Sequence, residues 1–266
     1  MNRALPDELA RFDDAAVAAV LRGFDVARRW HRYEVRGLER VPEGPAILVG
    51  NHNGGVSAID GLFLTEHYRA RGLGDRIYVL THDLVFRFEP LARRLNRIGM
   101  IRTSALNARA VLQAGHKLLV FPGGDRESLR PFARRKEVVH PGSDAVARMA
   151  LAFDAPLVPL VSAGGHESFV VLSDGAAVAR ALGLPRRFHV NVMPTALALP
   201  WGLVWGPGLG LPYLPLPAKV TAEVGDAIAP AAWRAAGAEA LTDHVAAAMQ
   251  GTLDRLYAER RWPVIG

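Results

Sequence analysis

His52 and Asp60 are the residues whose types and spacing could carry chemistry. They stand in Ile47-Leu-Val-Gly-Asn-His-Asn-Gly-Gly-Val-Ser-Ala-Ile-Asp60, where an apolar run delivers a histidine onto a glycine-rich turn and a carboxylate follows. Histidine is the one side chain whose ordinary pKa lies near neutrality. A carboxylate beside it holds the ring in one tautomer and stabilises its protonated form, the minimum equipment for taking a proton from an alcohol. The alternative is a structural histidine bonded to backbone, with Asp60 capping a helix.

A second loop of similar character is Val120-Phe-Pro-Gly-Gly-Asp-Arg-Glu-Ser128. Glycine loops present backbone N–H groups to anions, and Arg126 can grip a phosphate in forked geometry. Between the two loops, Arg97-Ile-Gly-Met-Ile-Arg-Thr103 puts Arg102 just past a short apolar run. Downstream, Arg134, Arg135 and Lys136 form a basic cluster whose ordinary reading is a solvated charge run. Gly-Gly-Asp-Arg-Glu also occurs in cyclic-dinucleotide synthases, but there an apolar strand follows the acidic pair. Here Ser128, Arg130 and Pro131 follow.

These loops need strands and helices to hold them. Helical periodicity covers 6–30, 59–71, 104–114, 142–153 and 233–257, with a further helix through 92–97; apolar runs at 31–37, 46–50, 77–80, 98–101, 118–121, 157–162 and 219–225 read as strands. Strands alternate with helices. Three of the strands run into polar glycine loops, the third being Gly164-Gly-His-Glu-Ser168. The expected fold is α/β: a single domain over 1–266 with a mixed, largely parallel sheet flanked by helices and its site at the carboxyl ends of the strands. Within it, 1–30 is an N-terminal amphipathic helix. Residues 188–217 are an apolar insertion broken by six prolines and by glycines, unable to form one straight helix. Its Leu, Trp and Tyr residues, Leu209 among them, are expected at a bilayer interface or along an acyl groove.

Composition narrows the classes further. The 266 residues contain no cysteine, which excludes disulfides, thiolate catalysis and zinc–thiolate sites. Net charge is +6, mostly arginine, which suits phosphate-bearing partners. No signal peptide or straight membrane-spanning helix is expected. His52, Asp60, His82 and Asp83 match no spacing of metal ligands, and no nucleic-acid motif accompanies the charge.

Taken in order, a strand ending in Asn-His with a carboxylate after it, then Gly-x-x-Arg, then Phe-Pro-Gly-Gly-x-Arg-Glu, then Val158-Pro159-Leu160, resembles the glycerolipid acyltransferase superfamily, glycerol-3-phosphate and lysophosphatidic acid O-acyltransferases. The resemblance covers roughly residues 41–168. It implies acyl transfer from acyl-CoA or acyl-carrier protein, a co-substrate rather than a bound cofactor, to a lipid or glycerol-phosphate hydroxyl. His52 would be the general base and Asp60 its partner. Arg102, Gly123, Gly124, Arg126, Glu127 and Ser128 would shape the acceptor site, Arg102 helping to hold a phosphate. Peripheral contact at the cytoplasmic face of a membrane is implied as well. Two departures stand out. The family places four residues between its His and Asp; here the fourth-spaced position is Ser57, and Gly54-Gly55 must loop out to return Asp60 to the ring. The usual glutamate after Phe-Pro is Gly123, a variation found in branches acting on neutral lipid acceptors, so Glu127 or Asp125 must supply the acid. Two alternatives remain open: an ester or thioester hydrolase using Ser57, Ser128 or Ser168, although no Gly-x-Ser-x-Gly elbow exists, and a non-catalytic lipid- or phosphate-binding protein.

Overall fold

The computed structural model describes residues 7–55, 58–206 and 210–266. Seven strands form the main sheet: β1 (Glu34–Arg36), β2 (Ile47–Gly50), β3 (Ile77–Thr81), β4 (Met100–Arg102), β5 (Lys117–Val120), β6 (Leu157–Ala163) and β10 (Thr221–Val224). Their spatial order is β1-β10-β6-β2-β5-β3-β4. The run β6-β2-β5-β3-β4 is parallel throughout, whereas β10 lies antiparallel to β6 and β1 parallel to β10. The mixed, largely parallel sheet is thus as expected.

Burial explains why β2 reads as an unbroken apolar run. Its residues are covered on both faces, as parallel strands are. Ile47 and Val49 point into a core shared with α5 (Ala105–Gln113), α7 (Ala145–Phe153) and α10 (Gly237–Ala258). Leu48 points the other way, into a core with Leu62 and Phe63 of α3 (Leu62–Arg71) and, at its edge, Phe24 of α2 (Asp14–Trp30). The chain leaves β2 through α3 toward β3 and β4, returns through α5 to β5 on one side of β2, and reaches β6 on the other side through α7. The carboxyl end of β2 therefore sits between two later strands, the position where open α/β sheets place ligands.

The region after β6 departs from the expectation. β7 (Val170–Ser173), β8 (Thr195–Ala198) and β9 (Gly202–Trp205) form a second, antiparallel sheet, and two short helices, α8 (Ala176–Ala181) and α9 (Leu184–Phe188), precede β8. The described prolines in 188–217 do stop a helix, but they fall outside the paired stretches and leave a hairpin intact. Val171, Ala196, Ala198 and Val204 pack beneath this sheet with Phe169 and Leu129. Leu209 of the apolar insertion lies outside the described residues. The glycine loop after β5 is shorter than expected, because Gly124–Ser128 closes into a helical turn, α6. Among the described residues no helix is long and apolar enough to cross a membrane.

Candidate active site

His52 leaves the carboxyl end of β2 and Asp60 lies in a 3₁₀ turn, Ala58–Gly61, that leads into α3. What joins them is the glycine pair. Gly54 and Gly55 have φ of 72° and 66°, the left-handed region, so two consecutive residues bend the chain out and back. A β-carbon on Gly55 would lie 2.5 Å from the Phe169 ring, so glycine is also required by space. Ser128 fixes the turn: its Oγ donates to the Gly55 carbonyl (2.5 Å), and the Gly55 N–H donates to the Ser128 carbonyl (3.1 Å). The result is a contact of 2.5 Å between His52 Nδ1 and Asp60 Oδ2. The same oxygen accepts the Asn53 N–H at 3.0 Å.

A carboxylate only accepts, so Nδ1 carries the proton and Nε2 presents its lone pair. The imidazole stacks on Phe121 with ring centres 4.8 Å apart, and its side chain is about one-third exposed at 31 %. Burial is the largest influence on its pKa and pushes it down; the hydrogen bond and charge of Asp60, helped by Glu127, more than offset this and leave it raised above the ordinary value.

The backbone of His52 is held from both sides. Its N–H donates to Glu127 Oε2 (2.9 Å) and its carbonyl accepts from His166 Nε2 (3.2 Å). Glu127 is buried and also accepts the Val139 N–H (3.1 Å) while facing Arg130 at 3.4 Å. Burial raises the Glu127 pKa despite the Arg130 charge and the two N–H donors. Gly123 makes room for this carboxylate, since a β-carbon there would lie 2.4 Å from Glu127 Oε2. The Glu127 carboxyl therefore lies directly beside position 123. Asp125 plays a different part. It accepts from Asn191 N (2.5 Å) and Nδ2 (2.8 Å), tying α6 to the segment before the second sheet.

Other expected site residues are placed less centrally. Arg126 is exposed and reaches Asn191 Oδ1 at 3.4 Å. Gly124 carries a φ of 55° at the start of α6. Arg102 ends β4 on the same edge of the sheet as His52, three strands away or roughly 14 Å at ordinary strand spacing. There it pairs with Glu8 at 3.0 Å. Of the serines, Ser57 lies outside the described residues. Ser128 and Ser168 are buried with their hydroxyls donated to backbone carbonyls, Ser168 Oγ to Gly165 at 2.7 Å. Neither is presented to a histidine as a nucleophile would be. No group of three or more His, Asp or Glu side chains that could hold a metal ion exists among the described residues.

Three supporting residues were not singled out from the sequence. Asn51 makes a two-way clamp with Ser162, accepting its N–H (2.7 Å) and donating to its carbonyl (3.0 Å), which locks the end of β2 to β6. Arg130 is 1 % exposed and so forms no part of the solvated basic run beside it. It leads through the Arg135 carbonyl (3.1 Å) to a further buried group in which Glu167 meets Arg135 and Arg260. His166 is buried, and burial followed by the Arg130 charge pushes its pKa well below the ordinary histidine value. Its signal was present in the sequence, for like His52 it follows a strand on a glycine pair.

Comparison with known proteins bears on the family and the fold. The family model described as Acyltransferase matches residues 32–163, which begin before β1 and end with β6. A protein of Mycobacterium tuberculosis described as uncharacterized is 32 % identical, over 94 % of this chain and 68 % of the relative. The "DGAT1/2-independent enzyme synthesizing storage lipids" of Bos taurus is 30 % identical over 73 % of this chain, and the chain spans 55 % of that relative's length. Among solved structures, the 1-acyl-sn-glycerophosphate (LPA) acyltransferase PlsC from Thermotoga maritima shares the fold, with a TM-score of 0.59 at 17 % identity, covering 92 % of this chain and 80 % of that one. The chain belongs to the acyltransferase family, within the glycerolipid acyltransferase superfamily.

Proposed function

We propose that the protein moves a fatty acyl group from a thioester, acyl-CoA or acyl-carrier protein, to a hydroxyl of a glycerolipid, with His52 as general base. The acceptor oxygen attacks the thioester carbonyl as its proton passes to His52 Nε2. The tetrahedral intermediate then expels the thiolate, which takes that proton back. Asp60 holds the ring with Nε2 outward and balances the transient imidazolium. No acyl-enzyme is formed, so a chain without cysteine and with its described central serines engaged is sufficient for the chemistry.

The observation that carries this reading is the 2.5 Å contact of His52 with Asp60 at the carboxyl end of a central parallel strand. A neutral lipid acceptor is favoured over a phosphorylated one. Arg102, the residue expected to hold a phosphate, is committed to Glu8, and the Bos taurus relative is named for storage-lipid synthesis. Peripheral membrane contact would be made by the second sheet. Successive side chains of a strand point to opposite faces, and here Leu197, Leu203 and Trp205 are exposed while Ala196, Ala198 and Val204 are buried. The test is product analysis with labelled acyl-CoA and a panel of diacylglycerol, monoacylglycerol, lysophospholipids and glycerol phosphate. Replacing His52 by alanine is expected to lower turnover by about 10²–10⁴-fold with the fold retained. Full activity in that variant removes the assignment.

A further inference from the structure

The third glycine loop, Gly164-Gly-His-Glu-Ser168, supplies no group to the acyl-transfer steps, yet it buries three polar side chains just past β6. It packs directly on the His52 loop. A β-carbon on Gly165 would lie 2.5 Å from Asn53 Cβ, so only bare backbone fits there. The next residue, His166, donates to the His52 carbonyl (3.2 Å). Where this loop sits, His52 sits.

Glu167 fixes the loop. A buried acid needs charge and hydrogen bonds around it, or it forces its surroundings to rearrange. Its main partners arrive from the segment after α10, 93 residues along the chain. Arg260 pairs with Glu167 Oε2, the Val264 N–H donates to the same oxygen (2.6 Å), and Arg135 stands 3.6 Å from Oε1. Arg260 is itself held in place. Its side chain is 7 % exposed, it lies 5.8 Å from the centre of the Tyr257 ring, and it donates to the Lys219 carbonyl (2.9 Å) ahead of β10. The Val264 carbonyl accepts the Lys219 N–H (2.8 Å) and an Arg32 N–H (2.8 Å).

Two buried routes lead from Glu167 to the catalytic backbone. One is the chain itself, through His166 to the His52 carbonyl. The other passes from Arg135, whose carbonyl accepts from Arg130, to Glu127 and the His52 N–H. Without Arg260, Glu167 would keep one N–H donor and a guanidinium beyond hydrogen-bond distance.

We propose that Arg260 is a positioning residue for His52: through Glu167 it fixes the 164–168 loop that holds the His52 carbonyl, and so maintains the contact of His52 with Asp60. A segment remote in sequence from every site motif thus becomes part of the site. The effect on turnover rests on the acyl-transfer reading; the effect on the ring does not.

The experiment follows the His52 ring by NMR across pH 5–9, its signal identified by its absence in His52→Ala, alongside kcat and KM for acyl transfer. It compares wild type with Arg260→Gln, Arg260→Lys and Glu167→Gln/Arg260→Gln, each checked for folding by circular dichroism. Burial pushes the His52 pKa down and Asp60 lifts it above the ordinary value, so a ring drawn away from Asp60 titrates lower. In Arg260→Gln the titration is expected to move to lower pH and kcat to fall by up to about 10²-fold, with KM little changed, as for a small misplacement of the reacting group. Arg260→Lys is expected to show a smaller shift of the same sign, because a point charge cannot serve both Glu167 and the Lys219 carbonyl as the fork does. In the double variant the amide at position 167 can still accept the Val264 N–H with no buried charge left to match, so most of the lost kcat and the titration are expected to return. A lower urea midpoint with wild-type titration and kcat, in every single variant that folds, overturns the proposal, since Arg260 would then only anchor its own segment. A double variant no better than Arg260→Gln also overturns it, because Arg260 would not be acting through Glu167. A wild type without acyl transfer whose His52 titration still shifts in Arg260→Gln refutes the catalytic reading and leaves the positioning role standing.

Discussion

Replacing Asp60 by asparagine is the sharpest perturbation of the site, because it alters charge with little change of shape. In the wild type one oxygen of Asp60 accepts both His52 Nδ1–H at 2.5 Å and Asn53 N–H at 3.0 Å. An asparagine can turn its carbonyl oxygen to the same two donors, so the ring keeps its place and tautomer. What disappears is the negative charge. A hydrogen bond to a charged group contributes about 1.5–3 kcal/mol against about 0.5–1.5 for a neutral one. The protonated ring therefore loses about 1–2 kcal/mol of stabilisation, and the proton-transfer step slows by roughly 5–30-fold. The pH profile supplies a second reading. Asp60 is the main reason the His52 pKa is raised against the downward push of burial. Activity needs neutral His52, so kcat/KM rises with pH through this raised pKa, and in Asp60→Asn the acid limb moves to lower pH. The assay is kcat/KM across pH 5–9 with a saturating thioester donor. A variant as fast as wild type with its acid limb unmoved would refute the general-base reasoning.

Three further outcomes follow from the supporting shell. Glu127→Gln keeps one acceptor for the N–H groups of His52 and Val139 and leaves buried Arg130 without its counter-charge; a loss of about 3–5 kcal/mol of stability is expected, read as a lower urea midpoint with unchanged slope. Gly123→Ala places a β-carbon where the Glu127 carboxyl lies and is expected to lower kcat more than it raises KM, since it displaces the residue that holds the His52 amide. His166 is held neutral because burial keeps its pKa far below that of the unfolded chain. Unfolding then takes up a proton below about pH 6.5, and stability falls by up to about 1.4 kcal/mol per pH unit as the solution is acidified. In His166→Gln this part of the slope vanishes, which urea titrations at pH 5 and 7 will measure.

The amino-acid sequence determined the parts of this protein that depend on near neighbours. Apolar runs ending in Asn-His or Phe-Pro-Gly-Gly become parallel strands that release their loops at one edge. Periodicity placed α5 and α7 to within a few residues, because amphipathic patterning is local, whereas the one helix expected over 6–30 is two, Asp7–Ala10 and α2, parted where Asp13 accepts the Ala15 and Ala16 N–H groups and starts a new helix. The pairing of Asp60 with His52 was readable as a requirement on the glycine turn. Its fulfilment rests on Ser128 and Phe169, far along the chain.

Tertiary structure alone decided the rest. Burial of Arg130 within a run of basic residues depends on a carboxylate and a carbonyl brought in from the surrounding turn and loop. Glu127 fills the space left by Gly123 only because Gly124–Ser128 coils into a helical turn. The second sheet escaped because its strands are four residues each and its partners lie more than twenty residues apart between β7 and β8. Strand pairing at that distance is set by which surfaces meet, not by any pattern within either strand.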